Sequence, residues 1–247
     1  MPPSAHEFAL KDMEFSNSDN AALARHQPGL TSSSHLFFPG CQLAGACPDH
    51  VKKTYEYLRN RLQGGVGLML RCCGAPADWA GRANALAQVL DEFRTQWIAM
   101  GSPQLILACS SCYAVFKAHI PEARLVSLWE VFDEQGLPQP PTAAGEAVFA
   151  IHDPCTSRHE TQVHSSVRNI ARALGLKVAE LTLSRHRTEC CGFGGLMYFA
   201  NRELAASWLT RLSRDASTKR TMTCSPIALF AAIISDPWKN RRFICSI

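Results

Sequence analysis

The feature that most constrains this chain is a cysteine pattern that occurs twice. Phe38-Pro39-Gly40-Cys41 is followed by Cys72-Cys73-Gly74 and by Cys109-Ser110-Ser111-Cys112; after a break, His152-Asp153-Pro154-Cys155 is followed by Cys190-Cys191-Gly192. The lone cysteines are offset by 114 residues and the Cys-Cys-Gly triplets by 118, as an internal duplication would leave them, and a repeat has to be recognised before a fold is assigned. Two similar domains are therefore expected, over residues 35–132 and 147–247. A linker at 133–146 joins them, rich in proline and glycine and so unable to continue a helix or a central strand. Residues 1–34, with Pro2, Pro3 and scattered serines and charges, read as a mobile tail.

Within each half, strands alternate with helices and the cysteines fall where strands end. His35 to Phe38 is a short apolar run stopped by Pro39-Gly40. After Asp49, an expected N-cap, Val51, Tyr55, Leu58 and Leu62 recur at helical spacing until Gly64-Gly65. Val66 to Leu70 predicts a buried strand running into Cys72-Cys73. Leu86, Val89, Leu90, Phe93 and Trp97 mark one face of a longer helix, and Gln104 to Ala108 predicts the strand that delivers Cys109 and Cys112. The second half repeats this with a strand at Ala147 to Ile151, a helix over Val167, Ile170, Ala171 and Leu174, and a strand at Lys177 to Leu183. The fold class is α/β, with parallel sheets flanked by helices. In such sheets ligands collect at the carboxyl ends of the strands, where these cysteines lie.

Composition excludes several alternatives. With 247 residues, 47% hydrophobic and 19% charged, the chain can build packed cores and is neither fibrous nor disordered. The net charge of +4 is dispersed, with no Lys or Arg run longer than two, so no nucleic-acid partner is expected. The longest apolar run, Ile227 to Ile234, is far short of the roughly 20 residues that span a bilayer, so no direct membrane insertion is expected. No secretory signal is visible, which predicts a cytoplasmic location with reduced thiols, and 11 cysteines then favour metal ligation over disulfides.

Soft thiolates select zinc, copper(I) or iron-sulfur clusters. Adjacent residues on a strand point to opposite faces, so Cys72 and Cys73 serve one cofactor only if the backbone turns, a freedom Gly74 supplies. Four cysteines suffice for a structural zinc or a cubane cluster. The first set has five, which favours iron-sulfur there; a zinc-stabilised assembly module without redox chemistry is the alternative. Cys47 and Cys245 read as ordinary thiols. His152 reads either as a proton gate or as a residue fixing the turn before Asp153-Pro154, and Arg185-His186-Arg187 as a solvated loop, with steering of an acidic partner or anionic substrate as the alternative. Gly192-Phe193-Gly194-Gly195 lacks the lysine of a phosphate loop and reads as close packing beside the cofactor. Trp97, Trp129 and Trp208 fit helical faces of the core.

Cys41, 30 residues, Cys72-Cys73-Gly74, 34 residues, Cys109-x-x-Cys112 resembles the CCG cysteine-rich domain found in tandem in the B subunit of heterodisulfide reductase. It is also similar to the iron-sulfur subunits of glycolate oxidase, anaerobic glycerol-3-phosphate dehydrogenase and lactate-utilisation systems. The resemblance covers about residues 35–215 and implies a tandem pair of CCG domains. In heterodisulfide reductase each such domain holds a noncubane 4Fe-4S cluster on five cysteines, and a disulfide is cleaved between the clusters. Other members relay electrons only, and an amino-terminal set has been associated with zinc. Carried over, Cys41, Cys72, Cys73, Cys109 and Cys112 would ligate the first cluster, and Cys155, Cys190 and Cys191 would supply three ligands of the second. The resemblance further implies an oxidoreductase subunit, passing electrons to a disulfide or another acceptor and working with flavoprotein and ferredoxin-like subunits.

The second set departs from the family pattern. A Cys-x-x-Cys is expected about 34 residues after Gly192; Cys224 comes after 31, without a partner. The second domain is thus expected to be incomplete after about residue 216, which puts a two-cluster disulfide cleavage, and with it the activity, in doubt. A shifted reading frame from Thr221 onward permits a Cys-x-x-Cys and an Arg-Asp-Asn-Phe ending at the expected spacing. The resulting hypothesis is that residues 217–247 are out of frame; the gene's nucleotide sequence refutes it if those codons cannot encode that string.

Overall fold

The computed structural model describes residues 6–138, 148–192, 194–215 and 220–222. They form two compact units that divide between Leu128 and Trp129, a few residues ahead of the expected linker, of which residues 139–146 lie outside the described set.

The first unit runs α1 (Glu7–Asn17), β1 (Leu23–Arg25), β2 (His35–Phe38), α2 (Cys41–Ala46), α3 (Pro48–Arg61), β3 (Val66–Leu70), α4 (Ala75–Trp79), α5 (Ala83–Ala99), β4 (Gln104–Leu107), α6 (Ser110–His119) and β5 (Leu125–Ser127). The sheet order is β1-β3-β2-β4-β5. β2 pairs in parallel with β3 and β4, β4 pairs in parallel with β5, and only β1 is antiparallel, against β3. The chain passes from β2 to β3 on one side and then returns to β4 on the other. The ends of these three strands therefore surround a topological switch point, the place where open α/β sheets bind ligands.

The apolar helical face foreseen over α5 is the one the fold buries: Leu86, Val89, Leu90, Phe93 and Trp97. Phe93 stacks on Phe116 of α6 with centroids 4.3 Å apart, and both meet Phe38 edge-on. Each of these fully buried rings contributes roughly 1.5–3 kcal/mol of transfer free energy. Trp97 is satisfied as well as buried, its Nε1 donating to the Pro103 carbonyl at 2.8 Å.

Two expectations need correction. Residues 6–34 are not the mobile tail that the composition of 1–34 suggests: α1 buries Leu10 and Met13 in the same core as Cys72 and Cys73, and β1 extends the sheet with Leu23 opposite Leu70. The physical cause is a short apolar stripe on α1, two residues three apart, too brief to register as a period. Asp49 is not the N-cap of α3: Cys47 occupies that place, and Pro48, preset for helical φ and lacking an N–H, opens the helix.

The second unit holds α7 (Leu128–Gln135), which starts at the division, then β6 (Val148–Ile151), α8 (Thr161–Ala173), β7 (Lys177–Glu180), α9 (Met197–Ala200), α10 (Arg202–Asp215) and β8 (Arg220–Met222). Its sheet is β7-β6-β8, all parallel. Val167, Ile170, Ala171 and Leu174 are buried, as their spacing predicts. A third strand thus follows residue 216: Ile151 pairs with Met222 in this sheet as Phe38 pairs with Leu107 in the first. Cys224 and Cys245 lie outside the described residues, as does most of the stretch read as out of frame.

Candidate metal centre

In the first unit the cysteines sit just beyond the carboxyl ends of three adjacent parallel strands. Cys41 opens α2 three residues past the end of β2, after Pro39 and Gly40, the latter at φ 82°. Cys72 and Cys73 follow β3, and the chain turns at Gly74, φ 92°, into α4. Cys109 caps α6 after β4, and Cys112 lies in the first turn of that helix. Both glycines are required by more than their φ. A Cβ on Gly40 would stand 3.1 Å from Cys112 Sγ and 3.3 Å from Cys109 Cβ, and one on Gly74 would press 2.9 Å from Leu86 Cδ1. The freedom expected of Gly74 is thus used, and it lets adjacent cysteines face one centre.

All five thiols are linked pairwise. Cys41 Sγ lies 3.6 Å from Cys72 Sγ, with Cys41 as donor; Cys72 in turn contacts Cys73, and Cys112 contacts both Cys73 and Cys109. Their environment is apolar: Cys72, Cys73 and Cys112 are buried among Leu36, Phe38, Leu86 and Phe116. Hydrogen bonds decide which sulfurs keep protons. Donation from Cys112 and Cys72 draws Cys73 down to about 6, and donation from Cys112 does the same for Cys109, to about 6. Cys112 is raised because it donates to Cys109 and Cys73, and Cys41 because it donates to Cys72 and is desolvated. For Cys72 the bond from Cys41 lowers the value, but donation to Cys73 and burial outweigh it, pushing it up to about 12. Five neighbouring sulfurs, with Cys73 and Cys109 lowered by hydrogen bonds from the others, are a soft donor set that fits a thiophilic metal or cluster. Among the described residues no three Cys, His, Asp or Glu side chains are placed, as the sulfurs stand, to hold one metal ion together. None of the nine described cysteines is in a disulfide.

The second unit brings Cys155, Cys190 and Cys191 onto two loops tied by a charge network that sequence reading missed. Asp153 accepts both Arg168 Nη1 and Nη2 at 2.8 Å and the Arg185 N–H at 2.6 Å, while Thr188 Oγ1 donates to the Asp153 carbonyl at 2.6 Å. Arg168 reaches on to Glu180 at 2.6 and 2.7 Å. Asp153 therefore fixes the turn ahead of Cys155, a task considered for His152, which is buried with its Nδ1 unpartnered. Burial alone would raise Asp153, yet these hydrogen bonds hold it below the ordinary carboxylate range. The Cys155 thiol is raised, first by desolvation and then by electrostatic interaction with Cys190 and Cys191. The Gly192 N–H donates to Cys190 Sγ at 3.3 Å. Gly192 is packed against the Ala205 backbone, but Gly194 and Gly195 have nothing within 4 Å of an added Cβ, so the close packing expected of that string is confined to its first glycine.

Mostly parallel sheets with cysteines gathered past their strand ends, built twice, define a tandem cysteine-rich α/β protein. The chain belongs to the CCG cysteine-rich domain family, whose pattern it matches over residues 35–117 and 149–221, more than half its length. A curated relative, the EtfAB:quinone oxidoreductase of Syntrophomonas wolfei subsp. wolfei (strain DSM 2245B / Goettingen), is 24% identical over 176 residues, 65% of this chain. The matched region is 24% of that protein's length, so the chain corresponds to about a quarter of it. Among the described residues no helix is long and apolar enough to cross a membrane.

Proposed function

We propose that this chain is an iron-sulfur electron-transfer subunit of an oxidoreductase, with a noncubane 4Fe-4S cluster in the first unit held by Cys41, Cys72, Cys73, Cys109 and Cys112. The observation that carries the reading is the unbroken series of sulfur contacts joining all five thiols at the switch point of the sheet. Such a cluster supplies one-electron chemistry at a potential set by hydrogen bonds and exposure. The chain's own contribution is positional. Neighbouring thiols lower Cys73 and Cys109 and are themselves raised at Cys41, Cys72 and Cys112, so ligation by all five releases protons. Phe38, Phe93 and Phe116 keep water from one side of the centre, and Gly40 lets the Cys41 loop close over Cys112. Cys155, Cys190 and Cys191 form a second thiol site on the loops that Asp153 ties together.

The name of the Syntrophomonas relative couples EtfAB to a quinone. By that analogy the electron donor is an electron-transfer flavoprotein, with ferredoxin-like subunits as further partners and a disulfide, quinone or protein as acceptor. The test is anaerobic reconstitution followed by titration with a reduced electron-transfer flavoprotein. Visible absorption that bleaches in step with flavin reoxidation is expected; a chain that binds iron and sulfide yet accepts no electron from flavin or dithionite contradicts the proposal.

A further inference from the structure

Asn17, the last residue of α1, makes a contact that no cysteine pattern reveals. Its Oδ1 accepts the main-chain N–H of Cys72 at 3.2 Å and Arg71 Nε at 2.9 Å, while its Nδ2 donates to the Met13 carbonyl at 3.0 Å. The carboxamide has one arrangement that satisfies all three partners, because both groups facing Oδ1 are donors. Arg71, whose side chain is 1% exposed, extends the same system to α5, with Nη1 on Gln96 Oε1 and Nη2 on Glu92 Oε2, each at 2.9 Å. The peptide between Arg71 and Cys72 is thus gripped from two sides. β1 adds a further hold one residue earlier, where Leu23 pairs with Leu70.

We infer that Asn17 is a positioning residue for the first thiol centre, and that α1, although it precedes the repeated domain, is part of the machinery that sets the Cys72 sulfur. Cys72 lies in the short stretch between β3 and the Gly74 turn, where strand pairing no longer dictates its peptide plane. The plane is set instead by the Asn17 oxygen. Its orientation carries Cys72 Sγ to 3.6 Å from Cys41 Sγ. Leu10 and Met13 anchor the helix that presents Asn17, burying themselves in the core that holds Cys72 and Cys73. This inference takes Cys72 as a ligand from the proposed function, but the positioning itself is a property of the metal-free chain.

The test compares Asn17→Ala and Asn17→Asp with wild type in the full chain, reading alkylation of each cysteine by iodoacetamide in metal-free protein and mass spectrometry, with Cys112 as internal reference. Asn17→Ala should raise the Cys72 to Cys112 ratio about tenfold, the change expected when one net hydrogen bond is lost. Asn17→Asp keeps an oxygen for the Cys72 N–H and Arg71 Nε, giving up only the bond to the Met13 carbonyl at the helix end, and should leave the Cys72 ratio near wild type. After reconstitution, Asn17→Ala should shift the cluster's midpoint potential and its electron paramagnetic resonance line shape, and Asn17→Asp should restore the line shape. An unchanged ratio in Asn17→Ala overturns the inference. Should that variant unfold and expose all thiols alike, Asn17→Asp decides: selective Cys72 exposure there also overturns it, and a wild-type ratio supports it. Absence of iron in wild type with a selective Cys72 response would sink the cluster reading and leave the positioning role standing.

Discussion

Replacing Arg168 with methionine tests the energetics of the second unit most sharply. Arg168 is 7% exposed and grips Asp153, itself 3% exposed, through two bonds of 2.8 Å. Methionine fills much of the same volume, so the loss is chiefly the ion pair. Removing one partner of a buried pair costs about 3–5 kcal/mol, because the other charge stays behind without compensation. Two features place the expected loss near about 3 kcal/mol, the lower end of that range: Asp153 keeps the Arg185 N–H, and Glu180, 41% exposed, is resolvated by water. Hydrogen exchange read on peptides covering β6 and β7 reports the local opening free energy without requiring the two units to unfold together. The double variant Arg168→Met with Asp153→Asn should recover most of the loss, since it removes the stranded charge. A single-variant loss below about 1 kcal/mol, the range of a solvated surface pair, would refute the claim that this pair holds the cysteine loops.

Gly192→Ala should destabilise the second unit by about 2 kcal/mol or more in urea denaturation, because φ is 82° and the new Cβ would lie 2.8 Å from the Ala205 carbonyl oxygen. Gly194→Ala, with open space around it, should stay within about 0.5 kcal/mol of wild type in the same assay. Gly40→Ala should lower iron incorporation with little change in the far-ultraviolet circular dichroism, since its Cβ would meet Cys112 Sγ and Cys109 Cβ, not the sheet. Asp153 has a folded pKa below its unfolded value of about 3.9, so its stabilisation is complete above that value and is lost as pH falls through the folded pKa. Acid titration of the second unit's stability should show this loss, and Asp153→Asn should flatten it.

The sheet strands and the cysteine loops were legible because both leave periodic or repeated marks. β2 and β3 fall on the residues their apolar runs predicted, and the α5 face is the five-residue stripe read from spacing. β7 stops at Glu180, not at Leu183, because Arg185 enters the left-handed region at φ 56° with its N–H on Asp153 and the chain turns before it. Asn17 and Arg168 escaped for a different reason. Each acts through single contacts to residues distant in sequence, 55 positions for Asn17 to Cys72 and 15 for Arg168 to Asp153, and such contacts impose no period. A buried arginine directly ahead of Cys72-Cys73 was the one available hint, since arginine is rarely buried without partners.

The most direct test of the central claim is a count of iron, zinc and acid-labile sulfide per chain on protein purified without oxygen, for wild type and Cys73→Ser. About four irons and four sulfides in wild type, lost in Cys73→Ser, is the predicted result, since Cys73 is the sulfur to which Cys72 and Cys112 both donate. Zinc without sulfide in wild type, or full iron retained in Cys73→Ser, would contradict the account of the first unit as an electron-carrying cluster site.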